Sequence, residues 1–67
     1  MDNVAKVSEI SATSTVSFED AIKQGIARAE KTIRNIRSAW IKEQQVRVEN
    51  GKITRYQVNM LITFVLE

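Results

Sequence analysis

The chain has no cysteine, no histidine, no proline and only two glycines. Without cysteine it has no disulfide, and without cysteine or histidine it cannot build the usual zinc sites. The same gaps remove thiol nucleophiles and Ser-His-Asp triads. Glu, Asp, Lys and Tyr remain as acids and bases, but they form no recognisable catalytic motif. Gly25 and Gly51 are too isolated for a phosphate-cradling loop. The expectation is a protein that is not an enzyme, with no catalytic residues and no metal ligands. Long apolar runs are also missing. Nothing approaches the roughly 18 residues of a membrane helix, and the opening Met1-Asp2-Asn3 is acidic with no apolar stretch behind it. No membrane partner and a cytoplasmic location are therefore expected.

Sixty-seven residues set the ceiling at a single domain, 1–67. A chain of this size buries only about 60% of its unfolded surface, which usually calls for a staple. With disulfides and zinc excluded, the staple left is association with other copies or a bound ligand.

Apolar residues make up 43% and charged residues 27%, the balance of a folded chain. The net charge of +2 is uneven: Lys6 alone faces Asp2, Glu9, Glu19 and Asp20 in residues 1–20, and the other bases lie beyond. A basic stretch can attract nucleic acid, but these bases stand singly among acids. A single-strand binder also needs several exposed aromatics on one face, and Trp40 and Tyr56 fall on opposite faces. No nucleic-acid partner is expected.

Residues 4–11 read as a first strand, rich in β-branched side chains, and residues 12–17 as a polar connection. Ser17 has the chemistry of a helix N-cap, with Asp20 in a variant of the capping box, and Glu19 and Asp20 suit the positive end of the helix dipole. Ile22, Ile26, Ala29, Ile33 and Ile36 then recur at helical spacing. They predict an amphipathic helix over 18–36, with Lys31, Arg34 and Arg37 near its negative end. Gly25 beside this stripe points to close helix–sheet packing.

Residues 38–49 and 52–66 read as two long strands joined at Asn50-Gly51, a strong type I′ hairpin signal. A two-residue loop pairs residues summing to 101, so Glu49 faces Lys52, Gln44 faces Gln57, Ile41 faces Met60 and Trp40 faces Leu61. One face then carries Tyr56, Val58, Met60, Ile62, Phe64 and Leu66, with Ala39 and Ile41 opposite, and packs on the helix. The other carries Trp40, Lys42, Gln44, Val46 and Val48 with Ile53, Arg55, Gln57, Asn59, Leu61, Thr63 and Val65. That face is too apolar to be simply solvated, and one helix covers only one side of a sheet, so it needs other partners. A drift in parity predicts a bulge near 43–45. The fold class is α+β, with a β-α-β-β protomer in which a three-stranded antiparallel sheet wraps around one helix. Its outer face is expected to point at other copies of the chain in a homo-oligomer, which supplies the missing staple.

In this order of parts the chain resembles the dodecin family. The resemblance rests on Thr13-Ser14-Thr15-Val16-Ser17-Phe18-Glu19-Asp20-Ala21 and on Ala27-Arg28-Ala29-Glu30-Lys31-Thr32-Ile33-Arg34-Asn35-Ile36. It continues through Glu49-Asn50-Gly51-Lys52-Ile53, Tyr56-Gln57-Val58 and the ending Phe64-Val65-Leu66-Glu67. It implies a hollow dodecamer of cubic symmetry that binds flavins such as riboflavin or FMN, storing them and quenching their photochemistry. It also implies that Gln57, in the Tyr-Gln-Val motif, hydrogen-bonds the flavin ring edge. The stacking Trp of the family, at the start of the second strand, is replaced: its Trp-Phe-Glu-Val stretch is Ser38-Ala39-Trp40-Ile41 here.

Trp40 keeps the face of the lost Trp but sits two residues on, about 6.6 Å along the strand. Two roles are open to it, a flavin contact or a subunit interface, where Trp is enriched. Gln57 has a flavin contact or a cross-strand hydrogen bond open to it, and Arg55 a flavin phosphate or a surface ion pair. The leading expectation is a flavin-sequestering homododecamer. The alternative is a dodecin-like shell that has lost flavin or holds another small ligand or a cation.

Overall fold

The computed structural model describes residues 4–66. Strand β1 (Val4–Ser14) leads into helix α1 (Phe18–Ala29), followed by β2 (Ile36–Glu49) and β3 (Lys52–Leu66). The sheet order is β1-β3-β2 and both pairings are antiparallel. The β-α-β-β order and the three-stranded sheet are those expected. Strand β1 runs three residues beyond the expected end at Ser11, because Ala12, Thr13 and Ser14 pair with Val58, Gln57 and Tyr56.

The β2–β3 hairpin closes as its dipeptide demands. Asn50 has φ 54° and Gly51 φ 75°, the left-handed pair that a type I′ turn requires, and Glu49 faces Lys52. The register then departs from a constant sum at two places that shape the site. Thr54 is an extra residue on β3 between the Val48–Ile53 and Arg47–Arg55 pairs, and its hydroxyl donates to the Arg47 carbonyl at 3.3 Å. Lys42 is an extra residue on β2 between the Ile41–Met60 and Glu43–Asn59 pairs. The expected bulge therefore exists, one residue earlier than the 43–45 segment. Between the two irregularities every partner moves by one, so Gln45, not Gln44, faces Gln57. Gln44 instead faces Val58 and Val46 faces Tyr56, which moves both to the helix side of the sheet. The Trp40–Leu61 and Ile41–Met60 pairs stand as expected.

Ser17 caps α1, accepting from the Asp20 amide at 3.0 Å. The other half of the capping box is not made. The Asp20 carboxylate accepts instead from the hydroxyl of buried Ser14 at 2.6 Å, and that hydroxyl oxygen accepts from the Val16 amide at 2.9 Å. Ser14 thus ties the end of β1 to the start of α1. The helix ends at Ala29, not at residue 36. The amides of Lys31 and Thr32 bond three residues back, to Arg28 and Ala29, and Asn35 takes φ 63°, a conformation asparagine tolerates better than most residues. Its carbonyl accepts from the Val65 amide at 3.1 Å, which pulls the chain into the sheet. Ile36 consequently lies in β2 opposite Phe64. Lys31, Arg34 and Arg37 lie past the helix, and the base in its last turn is Arg28.

The most buried helix positions are not the isoleucines but Ala21, Gly25 and Ala29; Ala29 belongs to the expected stripe, and Ala21 and Gly25 lie one position before its Ile22 and Ile26. These small residues lower the helix onto Val58, Met60 and Ile62, all fully buried, with Ile10, Ala12, Phe18, Ile22, Ala39 and Ile41 around them. A Cβ at Gly25 would lie 2.6 Å from Met60 Cε and 3.0 Å from Ala12 Cβ. The close helix–sheet packing expected of Gly25 is therefore met. Phe18 closes the end of the core edge-on against Tyr56, with ring centroids 5.1 Å apart.

The protomer is long and thin, 53 × 20 × 13 Å, with a radius of gyration of 13.9 Å, against about 11 Å for a compact chain of this length. Its accessible surface is 5220 Å², against about 4,300 Å² expected for a folded monomer of its mass. Gly25→Val should lower stability by about 1–3 kcal/mol, the usual range for overpacking a filled core. A thermal or denaturant unfolding midpoint no lower than wild type would contradict the close approach.

Candidate functional site

The face of the sheet turned away from α1 is uncovered in the protomer, and the register lays its residues out in rows. Val7, Thr63 and Ser38 form one row, and Glu9, Leu61 and Trp40 the next. Ser11, Asn59 and Glu43 follow, then Thr13, Gln57 and Gln45, and last the pair of Arg55 and Arg47. The rows pass from apolar through amide to cationic along the strands. Trp40, at 75% exposure, is the most exposed large hydrophobic residue described, and Val7 nearby is 55% exposed.

The amide rows are joined by hydrogen bonds. Gln57 Nε2 donates to Ser11 Oγ at 3.1 Å and to Asn59 Oδ1 at 3.4 Å, and Gln57 Oε1 accepts from Gln45 Nε2 at 3.2 Å. Asn59 Nδ2 donates to Glu43 Oε1 at 2.8 Å. The network holds Gln57 upright at the centre of the face with its rotamer constrained from both neighbouring strands. The extra residue Thr54 sets this pairing, bringing Gln45 rather than Gln44 beside Gln57, and the bulge at Lys42 returns the register to that of the turn. Lys42 itself reaches the same face and pairs with Glu9 at 3.4 Å.

The residues singled out from the sequence thus share one face but not one spot. Leu61, opposite Trp40, is four residues from Gln57 along β3, about 13 Å in an extended strand. Ser38, opposite Thr63, is two residues further away. The cross-strand hydrogen bond open to Gln57 is made, with Gln45 in place of Gln44. No ion pair is found for Arg55 among the described residues, whose two ion pairs are Lys23–Glu19 and Lys42–Glu9. Sequence reasoning missed Ser11, Thr13, Glu43 and Gln45. Thr13 was hidden by the early end given to β1, Ser11 by the lack of a register between β1 and β3, and the others by a bulge expected one residue too late. Among the described residues no three acidic side chains gather in one place, and no helix is long and apolar enough to cross a membrane.

Comparison with known proteins gives one consistent relationship. The family model described as Dodecin matches residues 4–67. The protein named calcium dodecin from Mycobacterium tuberculosis is 36% identical over 63 residues, which are 92% of this chain and 87% of that protein. The solved structure of a dodecin from Streptomyces davaonensis superposes with a TM-score of 0.94 at 30% identity, covering all of this chain and 98% of the other. The crystal structure of the M. tuberculosis calcium dodecin, described as calcium chelating with a novel calcium-binding site, gives a TM-score of 0.81 at 34% identity, over 96% of this chain and 91% of that one.

If the apolar rows of this face are covered by another copy, the emission of Trp40, the single tryptophan, should be blue-shifted in the native protein and move to the red on dissociation. A water-like emission spectrum in the native protein would show the face to be open.

Proposed function

The chain belongs to the dodecin family, and on that premise we propose that it is a non-catalytic homo-oligomer, a dodecamer, that holds flavin on the uncovered face of its sheet. The observation that carries this reading is Gln57, oriented by Ser11, Gln45 and Asn59 at the centre of a face that the single helix leaves bare. A planar heteroaromatic ring needs a polar edge contact and an apolar surface, and the face supplies both. The Gln57 amide matches the alternating donors and acceptors of the ring edge. Trp40 offers an exposed indole for stacking. Arg55 stands one row beyond Gln57.

A flat sheet touches a ring from one side only. The pocket is therefore proposed to close between protomers, with the ring between the Gln57–Trp40 faces of neighbouring copies. That arrangement also supplies the core a short chain lacks, since the excess exposed surface is the surface that assembly covers. When bound, flavin brings its absorbance and photochemistry. Gln57 would orient it, the facing sheets would exclude water from it, and an indole brought near it across the interface would be able to supply an electron to its excited state. None of them is arranged to hand it a substrate.

A second reading is favoured by Ser38 in the place of the family's stacking Trp and by the relative named for calcium. In it, the same shell holds a cation. The described carboxylates of one protomer do not converge, so the cation would be bound by groups from several copies.

Titration of FMN or riboflavin against the purified protein separates the two. The first reading expects flavin emission to be quenched on binding, with affinity reduced about tenfold in Gln57→Ala, the loss of one well-placed hydrogen bond. Flavin emission untouched at micromolar protein, together with a calcium-dependent rise in thermal midpoint, would replace it with the second. The mass in solution tests the assembly common to both: a stable monomer would overturn it.

A further inference from the structure

We propose that Asn50 is a site of spontaneous deamidation and that its conversion to isoaspartate breaks the β2–β3 turn. The reacting groups are the side-chain amide of Asn50 and the backbone nitrogen of Gly51. That nitrogen attacks Asn50 Cγ. The N–Cγ bond forms, the Cγ–Nδ2 bond breaks, and Nδ2 leaves as ammonia, carrying the proton taken from the Gly51 amide. The ring that results is a succinimide. Water then adds to one of its two carbonyls and reopens it, to aspartate or to isoaspartate. Nothing is oxidised or reduced, and either product lowers the net charge of the chain by one.

The structure separates Asn50 from the other described asparagines. Asn35 and Asn59 are followed by Ile36 and Met60, bulky strand residues whose side chains crowd the attacking nitrogen. The Asn59 amide is also held at both ends, donating to Glu43 and accepting from Gln57. At Asn50 each restraint is missing. Asn50 and Gly51 are exposed, and a Cβ built on Gly51 would meet nothing within 4 Å. Among the described residues no hydrogen bond holds the Asn50 amide, and the Gly51 N–H donates to no backbone carbonyl. The side-chain hydrogen bond nearest the turn is that of Thr54.

The tip is also thinly supported. Strand β1 ends at Ser14, opposite Tyr56, so the Val48–Ile53 pair has no third strand beside it, and its side chains are 57% and 52% exposed. Closing the ring rotates Asn50 out of its left-handed turn conformation, φ 54°, and an overhanging hairpin end opens for that at little cost. The two products differ in consequence. Aspartate keeps the backbone, and Asp-Gly suits a type I′ turn as Asn-Gly does. Isoaspartate routes the main chain through the former Cβ. That adds one atom to a two-residue loop whose length sets the Glu49–Lys52 pair. The extra residue Thr54 lies between the turn and Arg55, and from Tyr56 onward β3 is held by β1 as well. The misfit is therefore confined to the tip, and the row of Gln57 keeps its partners.

The test incubates the purified protein at mildly alkaline pH. Acidic species are followed by ion exchange, peptide mass mapping and an isoaspartate-specific methyltransferase assay. Two variants are treated alike: Asn50→Gly, which removes the amide and leaves a Gly-Gly pair suited to the same turn, and Asn50→Asp, which serves as control if the first fails to fold. Wild type should accumulate a more acidic species that maps to Asn50. It should form faster as pH rises, because base removes the Gly51 amide proton. Neither variant should gain charge at that position. The isoaspartate fraction should melt at a lower temperature than fresh wild type, whereas Asn50→Asp should melt with it. No acidic species, a rate indifferent to pH, or modification mapped chiefly to Asn35 or Asn59 would overturn the site. An isoaspartate fraction that melts like fresh wild type would overturn the broken turn.

Discussion

A sheet has two faces and this chain has one helix. The architecture depends on that imbalance. Helix α1 is drawn close to the sheet by Ala21, Gly25 and Ala29, so that Val58, Met60 and Ile62 are sealed from water with little side-chain volume spent on the helix side. The gain is a dry core in a very small protein. The consequence is that everything on the other face, from Val7 and Trp40 to Arg47, is left without intramolecular cover. The protomer is accordingly longer and more exposed than an independent domain of its mass would be. Its shape is that of a part, and the dodecin relationship is consistent with this physical shortfall.

The bare face is graded rather than uniformly apolar. Its Trp40–Leu61 end is apolar, with Trp40 exposed. Its centre is a ladder of hydrogen-bonded amides that is costly to bury without a polar partner, and its far end is cationic. A face meant only for packing against a copy would have no need of the middle and the end. The amide ladder also explains how an exposed Gln is kept in one orientation: Ser11 on β1 and Gln45 on β2 hold it from both sides.

Two one-residue insertions create this arrangement. Lys42 on β2 and Thr54 on β3 bound a short stretch whose register is offset by one from the segments on either side of it. Within that stretch Gln45 meets Gln57 and Arg47 meets Arg55, while outside it Trp40 still meets Leu61 and Glu49 still meets Lys52. Because side chains alternate between faces, an offset of one residue moves Gln44 and Val46 to the helix side and brings Gln45 and Arg47 to the uncovered side. The bulges thus exchange which residues the candidate site contains without altering the fold around it.

Local chemistry in the sequence was enough for the element order, the Asn50-Gly51 turn, the Ser17 cap, the close packing at Gly25 and the alternation of Val58, Met60 and Ile62. Each depends on residues a few positions apart, whose dihedral and packing preferences act before the chain is folded. It was also enough to place Trp40, Gln57 and Arg55 on one face of one strand pair. What only the tertiary structure decided are the features set by competition between distant segments. The helix stops at Ala29 because the Asn35 carbonyl bonds the Val65 amide, overriding a periodicity that continues to Ile36. Strand β1 runs on to Ser14 because β3 offers it partners there. The partner of Gln57 was decided by where the hairpin absorbs the extra residues Lys42 and Thr54. A sequence pattern can announce a bulge, but the ladder's hydrogen bonds and the packing on both faces fix its position.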